Sequence, residues 1–115
     1  MADGIRVTVW NEGIHEKTSE EVRAVYPDGL AAPIAAHLRQ QPGIASVHIS
    51  QLDDEGQGLT DDILNNTDVM TWWGHQAHDK VTDENAAKVQ KRVNEGMGLI
   101  VLHSGHLSKP FTRLM

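Results

Sequence analysis

Three short segments carry the residues best suited to chemistry, and each directly follows an apolar run. Asn11 to Lys17 contains Glu12, His15 and Glu16; His75 to Asp79 contains His75 and His78; His103-Ser104-Gly105-His106 contains two more histidines. Imidazole is both an acid–base group near neutral pH and a metal ligand. His15 beside Glu12 or Glu16 therefore offers a base with its orienter, or two ligands. Asp79 is placed to orient a histidine of the second segment, as a carboxylate behind a metal ligand does. In the third segment Gly105 supplies the small residue a tight strand-to-helix bend needs, an arrangement that holds one side chain exposed at the turn. Ser104 invites comparison with a hydrolase nucleophile, but the G-x-S-x-G frame is missing: Leu102 and His106 stand where its glycines belong. The elbow's chemistry then falls to histidine. Each segment also has a plainer reading, as a polar loop or as a histidine donating to a strand-end carbonyl. Their weight comes from a shared position.

That position is set by the elements before them. Residues 5–10, 68–73 and 97–102 are strand-like apolar runs, the last suited to a buried parallel strand. Residues 47–52 alternate apolar and polar and predict an outer strand with one covered face. Between the first two strands, Leu30, Ile34, Ala35 and Leu38 share one helix face, with Pro33 in the first turn and Gln41-Pro42-Gly43 as the stop. Thr60 is placed to cap a short helix over 61–65. Thr82 is placed to cap a longer one with Ala86, Val89 and Val93 on its apolar face, ending at Gly96. A further helix begins after Gly105, and the sequence stops inside it. The pattern predicts a parallel α/β sheet in the order 2-1-3-4 with helices on both faces. Ligands of such sheets bind outside the carboxyl ends of the strands. Five of the seven histidines fall at that edge. His37, mid-helix, and His48, in the outer strand, read as structural or exposed.

At 115 residues the chain suits one domain with a real core. It has no cysteine, which excludes disulfides, a thiolate zinc cluster and a cysteine nucleophile. The net charge is -6 with signs mixed along the chain, so nucleic acid is not an expected partner. No apolar run approaches the ~20 residues of a membrane span. The first residues lack the features of a signal peptide. The expectation is a cytoplasmic protein that does not engage a membrane.

Taken together, the chain resembles the trehalose-utilisation (ThuA-like) family of the class I glutamine amidotransferase-like superfamily. The resemblance is carried by Val7-Thr8-Val9-Trp10-Asn11-Glu12 with His15-Glu16-Lys17, by Tyr26-Pro27-Asp28-Gly29, by Trp72-Trp73-Gly74-His75 with His78-Asp79, and by Gly96-Met97-Gly98-Leu99-Ile100-Val101-Leu102-His103-Ser104-Gly105-His106. It implies a flavodoxin-like, three-layer ThuA-like domain over residues 1–115. Members are about twice as long, so the resemblance implies a domain truncated at its C-terminus, the first half of a larger one. It also implies a role in disaccharide catabolism, on trehalose or a keto derivative of it. Amidotransferases of the superfamily carry Cys-x-Gly-His at the elbow. Here His103 stands in the cysteine's place, so glutamine hydrolysis through a thioester is not available.

The expected site follows. His103, His75, His15 and Glu12 are the catalytic candidates. Asn11, Trp73, His78 and Ser104 are candidates for substrate binding, Trp73 through a face on which a sugar can stack. His15, His75 and His103 are the candidate ligands of a divalent metal, with zinc suited to imidazole, and His106 and Asp79 stand just behind them. One reading is an enzyme that hydrolyses or isomerises a small sugar with metal or histidine assistance. The alternative is a non-catalytic carbohydrate-binding or regulatory module on a degenerate amidotransferase-like fold. The missing cysteine suits the module; five clustered histidines suit the enzyme. An uncovered fourth strand also predicts association into a homo-oligomer.

Overall fold

The computed structural model describes residues 4–12, 31–74, 78–102 and 108–114. Strands β1 (Ile5–Asn11), β2 (Ile44–Gln51), β3 (Val69–Trp73) and β4 (Gly98–Val101) form one sheet. All three pairings are parallel and the order is β2-β1-β3-β4, as the alternating pattern predicts. Helix α1 (Ala31–Arg39) precedes β2, α2 (Asp61–Asn65) precedes β3, α3 (Asp83–Asn94) precedes β4, and α4 (Lys109–Leu114) follows it. Short 3-10 turns occupy Glu55–Gly58 and His78–Lys80.

The helix starts are where the caps put them. The Thr60 hydroxyl accepts from Ile63 N at 3.4 Å and the Thr82 hydroxyl from Asn85 N at 3.2 Å, each satisfying an amide that the helix leaves without a partner. Strand β2 begins three residues before the alternating stretch. Ile5 N donates to Gly43 O at 2.7 Å, and this contact, with Gly43 at a φ of 89°, turns the chain directly into the ladder.

In-register residues of a sheet share a face. On one face Trp10 and Trp72 stack with ring centroids 3.8 Å apart, above Met70 and against Val81, Ala86 and Val89. Helices α2 and α3 cover this face. On the other, Val7 and Val9 are buried beneath Ala31, Ile34 and Leu38 of α1. The amino end of the sheet is pinned by Arg6, whose Nη2 lies 2.9 Å from Asp68 Oδ1 while its backbone N donates to Asp68 Oδ2. These bonds hold the Asp68 carboxyl down at about 2.

Strand β4 departs from the expected buried strand. It alternates exposed and half-buried residues, and Ile100 is 53% exposed. The cause is lateral. Helix α1 lies over β1 and β2, so the row Ile49–Val9–Thr71–Ile100 runs from covered to uncovered across one face. An unbroken apolar run reports apolarity on both faces and cannot report which face has a helix above it.

Candidate functional site

The carboxyl ends of β1, β3 and β4 are neighbours, so the three chemistry-bearing segments leave the sheet side by side. Asn11 pairs with Trp73 in register. One residue further on, Glu12 N donates to Trp73 O at 3.1 Å and Leu102 N to Trp72 O at 2.9 Å. The ladder therefore continues through Glu12 and fixes the backbone of a carboxylate at the edge. That side chain is buried, with Glu12 only 1% exposed. Carboxylates are rarely buried so fully unless they are paired, so this one is held in place at the strand end.

Gly74 brings Glu12 and His78 together. A methyl group in place of its hydrogen would lie 3.1 Å from Glu12 Oε2, 3.2 Å from His78 Nδ1 and 3.3 Å from His78 Cε1. The carboxylate and the imidazole thus both pack against Gly74 at the end of β3, where any side chain would crowd them. His78 is half-buried and Asp79 exposed. The turn that carries them is braced from behind by Gln57. Its Nε2 donates to Lys80 O at 2.7 Å, and its Oε1 accepts from Thr82 N at 3.1 Å and Asn85 Nδ2 at 2.9 Å. Gln57 holds a φ of 59°, unusual for a residue other than glycine, and its carbonyl accepts from Trp10 Nε1 at 2.8 Å. A left-handed residue fixed by this many bonds marks a place where local structure is held against its own preference.

Asn11 and Trp73 meet at a groove. In the amide orientation that satisfies both ends, Asn11 donates to Trp10 O at 3.0 Å and accepts from Ala31 N at 3.1 Å, tying the end of β1 to the start of α1. Trp73 is half-buried. Both line an open cavity of about 640 Å³, bounded by α1 on one side and floored by Thr71, Ile100 and Leu102. His37, exposed on its helix as one of the two expected readings has it, also lines this groove. His48 is exposed on the outer strand, as expected.

The structure thus places Glu12 and His78 together beside Gly74, and Asn11 and Trp73 together at the groove. His15, His75, His103, Ser104 and His106 lie outside the described residues. Among the described residues no group of three or more His, Asp or Glu is placed to hold a metal ion. No helix among them is long and apolar enough to cross a membrane. Three residues that shape the site were not singled out from sequence. Gly74 carried a signal, a glycine at the end of a buried strand. Gln57 and Thr71 carried none, because their roles depend on contacts across the fold.

Compared with known families, residues 6–115 match the family described as ThuA, trehalose utilisation. The search of curated proteins gave no match.

Proposed function

The chain belongs to the trehalose-utilisation (ThuA) family, and from that premise we propose that it is an enzyme acting on a small sugar, trehalose or a keto-disaccharide. The observation that carries the reading is the pairing of the buried Glu12 carboxylate with the His78 imidazole on either side of Gly74. A carboxylate and an imidazole held beside the same residue are the parts of general acid–base catalysis. One takes a proton from a sugar hydroxyl or a water molecule while the other delivers one to the departing or carbonyl oxygen. Hydrolysis of a glycosidic bond and isomerisation of a keto-sugar both need such a transfer. His15, His75 and His103 complete the site in this reading. A divalent cation, zinc by the nature of its ligands, would be held by those three. The groove beside Asn11 and Trp73 receives the sugar.

A sugar-binding module without chemistry has less support. Proton transfer uses a carboxylate beside an imidazole, and sugar binding alone does not need that pair. The test is Glu12→Gln, which keeps the shape and removes the charge. Loss of one acid–base group costs ~100- to 10,000-fold in turnover. The variant is expected to melt within a few degrees of the parent and to lose turnover of trehalose or of a keto-disaccharide in that range. Undiminished turnover removes Glu12 from the chemistry.

A further inference from the structure

Helix α3 begins with a capping box that is completed from another part of the chain. The Thr82 hydroxyl accepts from Asn85 N at 3.2 Å. The return bond ordinarily comes from the third helical residue, whose side chain accepts from the cap's own N–H. Here Gln57 supplies it. Its Oε1 accepts from Thr82 N at 3.1 Å, across 25 residues of sequence. Asn85, the third helical residue, donates instead through Nδ2, to Gln57 Oε1 at 2.9 Å and to Gly56 O at 3.2 Å. The other end of the same amide, Gln57 Nε2, donates to Lys80 O at 2.7 Å. One side chain thus uses its donor and its acceptor on residues 80–85. A carboxylate of the same length has no donor to offer.

The backbone of Gln57 is held as firmly as its side chain. Its N donates to Asp54 O at 2.8 Å, and its carbonyl accepts from Trp10 Nε1 at 2.8 Å. It stands between Gly56 and Gly58, and the three have φ values of 60°, 59° and 69°. That backbone costs glycine little and glutamine more, so what the glutamine side chain contacts accounts for its presence there. Trp10 precedes Glu12 by two residues on β1, and Lys80 follows His78 by two on the turn. Gln57 therefore joins the two elements that carry the pair, close to each member. Val81, buried in the Trp10 cluster, anchors the same segment. Apolar burial is non-directional, however, and leaves orientation to the hydrogen bonds. We propose that Gln57 is the positioning residue of the Glu12–His78 pair: it ties the strand bearing the carboxylate to the turn bearing the imidazole, and so holds His78 against Gly74. This rests on the acid–base reading given above and adds the residue that sets the geometry of the pair.

The test is Gln57→Gly in the full chain, with two readouts taken well below the melting transition. One is the nuclear Overhauser cross-peak between the His78 ring proton on Cε1 and the Gly74 α-protons, which the close approach of those residues should give in the parent. The other is turnover of trehalose or of a keto-disaccharide. Glycine adopts the left-handed backbone without strain, so the turn keeps its shape while the side chain is gone. The cross-peak should be lost. Turnover number should fall ~10- to 100-fold, as for a catalytic group displaced by up to ~1 Å, with KM within about twofold. Gln57→Glu keeps the acceptor for Thr82 N and loses the donor for Lys80 O, so both readouts should lie between the glycine variant and the parent. Arg92→Ala is the stability control. It removes the bonds to Leu64 O and Thr67 O beside the start of β3. It should lower the melting temperature and leave cross-peak and turnover as in the parent. A cross-peak that is absent from the parent, survives in Gln57→Gly or is also lost in Arg92→Ala overturns the positioning role. The acid–base reading fails separately. A cross-peak lost with parental turnover upholds Gln57 as the residue that places His78, and removes His78 from the chemistry.

Discussion

Gly74→Ala is the sharpest perturbation of the Glu12–His78 pair because it adds one carbon between them and removes nothing. Gly74 does not occupy the left-handed region, so alanine fits the backbone. The cost is steric. The new methyl would stand 3.1, 3.2 and 3.3 Å from Glu12 Oε2, His78 Nδ1 and His78 Cε1, all tighter than ordinary contact. Glu12 is 1% exposed and has little room to yield; half-buried His78 has more. Overpacking of this kind costs about 1–2 kcal/mol, at the lower end of its usual range. That corresponds to a fall of roughly 5–10 °C in melting temperature for a domain of this size. The functional effect is larger in proportion. A displacement of ~1 Å costs on the order of 100-fold in rate, so a shift of a few tenths of an ångström is worth roughly tenfold in turnover. Gly98→Ala is the control. Its methyl would meet Val69 Cγ2 at 3.5 Å, an ordinary contact, and Gly98 also lies outside the left-handed region. It should keep turnover and melt no lower than the parent. The assay is turnover at a temperature well below both transitions, alongside the melting curve. Full turnover in Gly74→Ala would refute the argument that Glu12 and His78 act as a catalytic pair.

Three further outcomes follow from the same contacts. The Arg6 hydrogen bonds hold the Asp68 carboxyl at about 2, below its unfolded value near 3.9, so its contribution to stability is present above that value and is lost as pH falls through 2. Between pH 4 and 2 the melting temperature of Asp68→Asn should fall less steeply than that of the parent; parallel slopes would sink the assignment. Gln57→Ala removes the three side-chain bonds that brace the 78–82 turn and should cost about 2 kcal/mol in a denaturant titration, the lower range for several lost bonds. Restoring the side chain's reach with Gln57→Glu should recover only part, because a carboxylate cannot donate to Lys80 O.

The parts of this fold that were legible in sequence are those with local causes. Thr60 and Thr82 placed two helix starts, and the strand runs placed the order β2-β1-β3-β4. The convergence of Asn11, Trp73 and Leu102 at one edge follows from that order alone. The cover above β4 was not legible, because Ile100 is apolar whether or not a helix lies over it. The groove was missed for the same reason. It exists because α1 sits over β1 and β2, and neither Pro33 nor His37 announces what lies beside its helix. Thr71 is the clearest instance: a threonine in a strand is ordinary by propensity, and its hydroxyl becomes informative only when the structure shows that nothing meets it.

The division between edge and groove also sets what a metal would do. Glu12 and His78 are described at the edge; His15, His75 and His103 are the proposed ligands and leave the same edge in sequence. If the three imidazoles hold zinc, affinity depends on them, while Trp73 bears only on the sugar. Chelation should then abolish turnover, and re-added zinc should restore it, with one equivalent bound per chain by elemental analysis. His103→Ala should lower zinc content together with turnover. Trp73→Leu should leave zinc content unchanged and raise KM. His48→Ala, on the outer strand, should change neither. Proton transfer by Glu12 and a histidine without a metal predicts a different pattern: His103→Ala loses turnover, yet the stripped protein keeps full activity. That last result would remove the cation and leave Glu12, His78 and His103 as the acid–base candidates.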